Sequence, residues 1–166
     1  LKPHNILLSS QGYVKLADFG VARWVHEELV RLTAPGMVPG TPEFMAPEQV
    51  NAQPVGPWSD IFSVGTTLYY LLTGHLPFGG GSVVKVFQSI SSGHYAPARS
   101  LRHSIDKRLD SLIKHCLHRD PAKRPASAAE IADELQEFLR KKKFLDPERL
   151  LADLIRRNHG QSSDHR

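Results

Sequence analysis

Between Asp60 and Leu72 the chain reads Asp-Ile-Phe-Ser-Val-Gly-Thr-Thr-Leu-Tyr-Tyr-Leu-Leu, with no charge after its first residue. A helix built from this run is apolar or small on every side and must be enclosed by other parts of the chain. It is too short to span a bilayer, and Ser63, Gly65, Thr66 and Thr67 interrupt its apolar character. The fold is therefore expected to be organised around one buried helix.

The segments that follow supply its cover. Val83 to Ser91 is a shorter helix candidate, and Leu109, Leu112, Ile113 and Cys116 recur at helical spacing. Ser127 with Glu130 has the pattern of a capping box, and Ile131, Leu135, Phe138 and Leu139 form one apolar face behind it. Asp146 and Pro147 read as N-cap and first-turn proline of a last helix, faced by Leu150, Leu151, Leu154 and Ile155. Asn158 to Arg166 is polar and expected to fray. Thr73 to Gly81, with four glycines and a proline, breaks the central helix.

Upstream the character changes. Ile6-Leu7-Leu8 and Tyr13-Val14-Lys15-Leu16 are β-prone runs joined by Ser9 to Gly12, which reads as a hairpin. Residues 20–58 have no sustained period and contain six prolines, so a long irregular segment is expected there, and such segments are usually functional. With 166 residues, 40% hydrophobic and 23% charged, the chain suits one domain with a real core. The single cysteine, Cys116, fits a reducing compartment and reads as a small core residue.

The formal charge of +4 belongs to the end of the chain. From Arg140 onward there are eight Lys/Arg against four Asp/Glu, whereas residues 1–139 hold 13 of each sign. Arg140 to Lys143 reads as a solvated helix end whose cations suit the helix dipole. No aromatic stacking pattern accompanies the charge, so no nucleic-acid partner is expected. The first residues lack the apolar run of a signal peptide, and the opening on Leu rather than Met suggests a fragment. No transmembrane segment is expected. The expected location is the cytoplasm, which leaves room for a membrane anchor elsewhere in a longer protein.

Chemistry concentrates at the two ends of the hairpin. Lys2-Pro3-His4-Asn5 precedes it and Asp18-Phe19-Gly20 follows it. An Asn and an Asp brought side by side offer hard oxygen ligands of the kind Mg²⁺ takes. Lys2 adds a point charge for a phosphate, and Gly20 permits a sharp turn after Asp18. His118-Arg119-Asp120 and Gly79-Gly80-Gly81 look like catalytic motifs. The first sits before Pro121 in a helical loop, and the second follows a helix and Pro77, so both read as structural.

The order and spacing of these motifs resemble the eukaryotic-type Ser/Thr protein kinase family. Leu1 to Asn5 matches the end of its catalytic loop, Leu-Lys-Pro-x-Asn, and Asp18 begins its Asp-Phe-Gly. Gly40, Thr41, Pro42, Ala46, Pro47 and Glu48 match the close of its activation segment. Asp60, Ser63 and Gly65 match the opening of its central helix, and Asp120, Pro121, Arg124 and Pro125 match a later loop. The resemblance implies a mainly α fold: a kinase C-lobe, a helical bundle around a central buried helix with a short β-hairpin near its start. The N-lobe β-sheet is expected to be absent. Residues 1–143 would be this C-lobe, and residues 144–166 a basic C-terminal helix and frayed tail.

It also implies roles, since this family is a standard template for phosphoryl transfer. Asn5 and Asp18 would hold Mg²⁺ on the phosphates of ATP, the co-substrate, and Lys2 would stabilise charge on the transferred group. Thr41 would orient Lys2 and the catalytic Asp, which would lie just before Leu1. Glu48 and Arg124 would form a buried ion pair, and Asp60 would anchor the catalytic loop from below. Thr33 is a candidate phosphorylation site, because Thr33 and Thr41 are the only hydroxyl residues between Gly20 and Ala46. The partners implied are ATP, a protein substrate and the missing N-lobe of a longer kinase. The chain by itself is then expected to be inactive. The competing expectation is a non-catalytic, pseudokinase-like protein-binding module. Metal ligands at Asn5 and Asp18 favour the kinase.

Overall fold

The computed structural model describes residues 1–17, 41–144 and 146–161. Two antiparallel strands, β1 (Ile6–Leu8) and β2 (Val14–Leu16), pair in the register Ile6 with Leu16, Leu7 with Lys15 and Leu8 with Val14. Among the described residues seven helices follow: α1 (Pro47–Val50), α2 (Pro57–Thr73), α3 (Val83–Ser92), α4 (Ala98–Leu101), α5 (Lys107–Cys116), α6 (Ala128–Lys141) and α7 (Pro147–Gln161). Short 3₁₀ turns occupy Pro3–Asn5, Pro42–Phe44 and Pro121–Lys123. The architecture is mainly α, with one hairpin near the start.

The central helix is as enclosed as its composition requires. Phe62 and Tyr69 are fully buried and meet Phe78, Val86, Ile90 and Ile113 in one apolar cluster. Ile61 joins Leu112, Cys116 and Ile131 in a second cluster on its other side. Phe62 and Phe78 stack with centroids 5.6 Å apart, and Tyr95 packs edge-on against both Phe78 and Tyr69. Burial pushes the Tyr95 phenol up to about 12, and the nearby Asp110 charge adds to the shift. Gly65 explains how α5 comes so close to α2. A Cβ there would lie 2.6 Å from the Cys116 Cβ, inside any permitted contact.

Several boundaries differ from the sequence reading. The stretch expected to be irregular up to residue 58 contains the 3₁₀ turn Pro42–Phe44 and the helix α1, and α2 starts at Pro57 rather than Asp60. Proline breaks a helix interior, yet Pro42, Pro47 and Pro57 each stand in a first turn, where a missing N–H costs nothing. Ser127 Oγ does cap α6, accepting the Glu130 N–H at 3.2 Å. The Glu130 carboxylate, however, accepts from the Ala126 N–H at 2.7 Å, one residue earlier than a capping box requires. Asp146 caps α7 by accepting the Arg149 N–H at 2.9 Å. Within the basic run after α6, Lys141 pairs with Glu137 at 2.7 Å and Lys142 with Asp106 at 2.9 Å.

Candidate active site

Lys2 is extended and opens the turn Pro3–Asn5, whose closing bond is the Asn5 N–H to the Lys2 carbonyl at 3.0 Å. The Asn5 carbonyl then accepts the Ala17 N–H at 2.8 Å. The hairpin thus leaves and returns beside Asn5. Asp18 and Thr33 lie outside the described residues. Among the described residues the Asn5 side chain makes no hydrogen bond. No group of three His, Cys, Asp or Glu side chains among them has metal-binding geometry. Any hard cation at Asn5 would need further oxygens from Asp18 or from a ligand.

Thr41 is brought to this loop. It begins the turn Pro42–Phe44 and, with Pro3, His4, Phe44, Tyr70 and Leu76, lines a cavity of about 370 Å³. A larger cavity, about 480 Å³, lies elsewhere, between Glu48, Pro54, Trp58 and Pro121. The first is the one that adjoins the catalytic-loop motif.

Beneath Thr41 the chain is tied down by α2. Ser63 Oγ donates to the Phe44 carbonyl at 2.9 Å, and Ser59 Oγ donates to Glu48 Oε1 at 2.7 Å. Glu48 and Arg124, 76 positions apart, form a bidentate ion pair with both contacts at 2.8 Å. The Arg124 guanidinium uses its remaining donors on the carbonyls of Trp58, His118 and Arg119, at 2.8, 2.8 and 3.2 Å. Its planar face covers the Phe62 ring, 5.0 Å from the centroid. Every N–H of this buried cation is therefore satisfied, the condition under which such a charge is tolerated. Burial pushes the Glu48 carboxyl up, but hydrogen bonds from Arg124 and Ser59 outweigh it and hold its pKa below the usual value.

The His118-Arg119-Asp120 triplet has a structural role. Two of its carbonyls hold Arg124, and Asp120 caps the turn Pro121–Lys123 through the Ala122 N–H at 3.0 Å. Asp60 is exposed, and its carboxylate accepts no hydrogen bond among the described residues. Ser59 was not singled out from sequence. Its signal was a hydroxyl one turn before Ser63 on a helix otherwise rich in apolar residues. Asp110 was also missed: it is buried, accepts the Arg99 N–H at 3.2 Å and pairs with Lys114 at 3.1 Å.

A helical floor, a hairpin returning to an Asn, and an anchored Thr-Pro turn over a buried Glu–Arg pair define a kinase-type C-lobe. The sequence model of the protein kinase domain matches residues 1–148. The chain belongs to that family, and more closely to its eukaryotic-type Ser/Thr branch. It is 37% identical over 136 residues to the serine/threonine-protein kinase PknL of Mycobacterium tuberculosis, covering 82% of this chain and 34% of PknL. The serine/threonine-protein kinase PknB of Mycolicibacterium smegmatis is 34% identical over 166 residues, 99% of this chain and 23% of that protein. Among solved structures, the twitchin kinase region from C. elegans superposes with a TM-score of 0.64 and 31% identity, covering 82% of this chain and 23% of the other. The chain thus spans about a third or less of each of these relatives.

Proposed function

We propose that these residues form the C-lobe half of a Ser/Thr protein kinase that transfers the γ-phosphate of ATP to protein Ser/Thr. The observation that carries this reading is the meeting of Pro3 and His4, within the motif Lys2–Asn5, with Thr41 at one cavity, the Thr41 turn being held from below by α2 through Ser63. Asn5 and Asp18 would hold Mg²⁺ against the nucleotide, and the bound ion would neutralise charge on the phosphates. Lys2 is placed in sequence to stabilise the transferring group electrostatically, and Thr41 to orient Lys2. Thr33 is proposed as a site at which added phosphate orders the segment before Thr41.

Positioning and charge stabilisation supply most of the catalysis in phosphoryl transfer. The 166 residues hold no matched counterpart of the base, the glycine-rich loop or the ATP-gripping lysine, so by themselves they are expected to give no turnover. The test uses the longer protein in which an N-lobe precedes Leu1, with Mg-ATP and a basic protein substrate. Phosphate incorporation that Asp18→Ala abolishes is the expected result. An inactive longer protein carrying this segment intact would overturn the reading in favour of a non-catalytic binding module. Mass spectrometry of the same reaction locates the phosphates on the kinase; their appearance elsewhere but never at Thr33 removes that proposal.

A further inference from the structure

The hairpin that starts at Asn5 has one buried residue, Gly12, while Leu7, Leu8, Tyr13 and Val14 are each more than half exposed. What buries Gly12 is α7. A Cβ at Gly12 would collide with the backbone carbonyl of Glu148 and lie 3.1 Å from the Ala152 nitrogen. The two backbones touch directly, an approach only glycine permits, and the φ of +86° at Gly12 imposes the same choice. On the helix side, Ala152 is only 6% exposed, while Leu150 and Leu154 face solvent.

The turn between these contacts and Asn5 is firmly built. Ser9 donates its N–H to the Tyr13 carbonyl at 2.9 Å and accepts the Gly12 N–H at its own carbonyl at 2.9 Å. Its hydroxyl oxygen accepts the Tyr13 N–H at 3.0 Å. At the opposite end of the ladder the Ala17 N–H bonds the Asn5 carbonyl. Between tip and base there are only three residue pairs. A displacement of the tip is therefore passed to Asn5 through a short, hydrogen-bonded lever. Nearly all of α7 lies beyond the region matched by the kinase domain, which ends at residue 148.

We infer that α7 is a positioning strap: seated on Gly12, it holds the tip of the hairpin and, through the hairpin, the loop that carries Asn5. The contact stands on the structure alone; its consequence for catalysis rests on the kinase reading above. Gly12 and Ala152 are positioning residues, since neither reaches the cavity at Thr41.

Two measurements separate the strap from the kinase reading. In the 166-residue chain, amide hydrogen exchange at Ala17 reports the bond to Asn5. Gly12→Ala and Ala152→Glu are each expected to accelerate it by about fivefold or more, leaving α2 amides unchanged, while Leu154→Glu on the exposed face leaves both unchanged. Unaltered Ala17 exchange in both variants overturns the strap. So does acceleration spread equally over α2, which would make α7 an ordinary part of the core. In the longer active kinase, Ala152→Glu is expected to raise the Mg²⁺ concentration for half-maximal rate by about fivefold. The rate at saturating Mg²⁺ should largely be kept. A fall in the saturating rate with no shift in Mg²⁺ dependence overturns the positioning role. If the longer wild-type protein is inactive, it is the kinase reading that fails, and the exchange experiment still decides the strap.

Discussion

The floor around α2 and the hairpin edge are built on opposite principles. In the floor, large side chains such as Phe62, Tyr69, Phe78 and Leu112 are sealed from solvent, and the Glu48–Arg124 ion pair is enclosed and satisfied. At the edge, the strands are three residues long, and among their residues only Ile6 is as much as partly buried. The hairpin's geometry is carried by backbone hydrogen bonds and one glycine contact. The motif residues Lys2 and Asn5, proposed above to act on the nucleotide, sit at this lightly held edge, while the anchor of Thr41 sits in the floor. On that proposal stability and reactivity fall to different parts of one small lobe, and a given substitution should affect mainly one of them.

Removing Arg124 is the strongest way to break that division. Arg124→Ala leaves the Glu48 carboxylate buried and unpaired, which typically costs about 3–5 kcal/mol. Urea denaturation should show the loss. A cost below about 1 kcal/mol, the size of an exposed ion pair, would mean the pair is not enclosed in solution.

Acid should weaken the same bond from the other partner. The Glu48 carboxyl is held below its ordinary value, so its contribution is fully present above the unfolded pKa of about 4.3 and fades as pH falls through the lower folded value. Glu48→Gln, which loses charged hydrogen bonds, should be less stable than the parent by roughly 1.5–3 kcal/mol at neutral pH. The gap should narrow below about pH 4. A gap that stays constant down to about pH 2 would remove Glu48 as the titrating group.

Gly65→Ala probes the floor without charge. The added methyl meets the Cys116 Cβ at 2.6 Å, and overpacking of this kind costs about 1–3 kcal/mol. Thermal unfolding checks it, and an unchanged midpoint would show that α2 and α5 can separate freely. At the small end stands Leu7→Ser on β1. Leu7 is 54% exposed, so the stability of this chain should change by no more than about 0.5 kcal/mol. A larger loss would place the hairpin within the cooperative core and erase the contrast between the two regions.

Much of the floor was legible beforehand. An uncharged run from Ile61 to Leu72 can only be a buried helix, and Asp146-Pro147 and Ser127 mark starts that depend on bonds within one turn. The helix starts at Pro47 and Pro57 were harder, because proline both ends helices and begins them, and the choice turns on neighbours such as Ser59 and Glu48. In the site, Lys2, Asn5 and Thr41 were visible as motif positions.

By itself the sequence determined the local choices: which segments are helical, where they are capped, and that one helix must be surrounded. These follow from residues within four positions of one another, whose energetics need no knowledge of the rest of the chain. Only the tertiary structure decided that Ser59 would reach Glu48, that Asp110 would be buried against the Arg99 amide, and that α7 would come to rest on Gly12. These contacts join positions from 11 to more than 130 apart, and they exist because burying α2 brings the surrounding elements close enough for their polar groups to need partners.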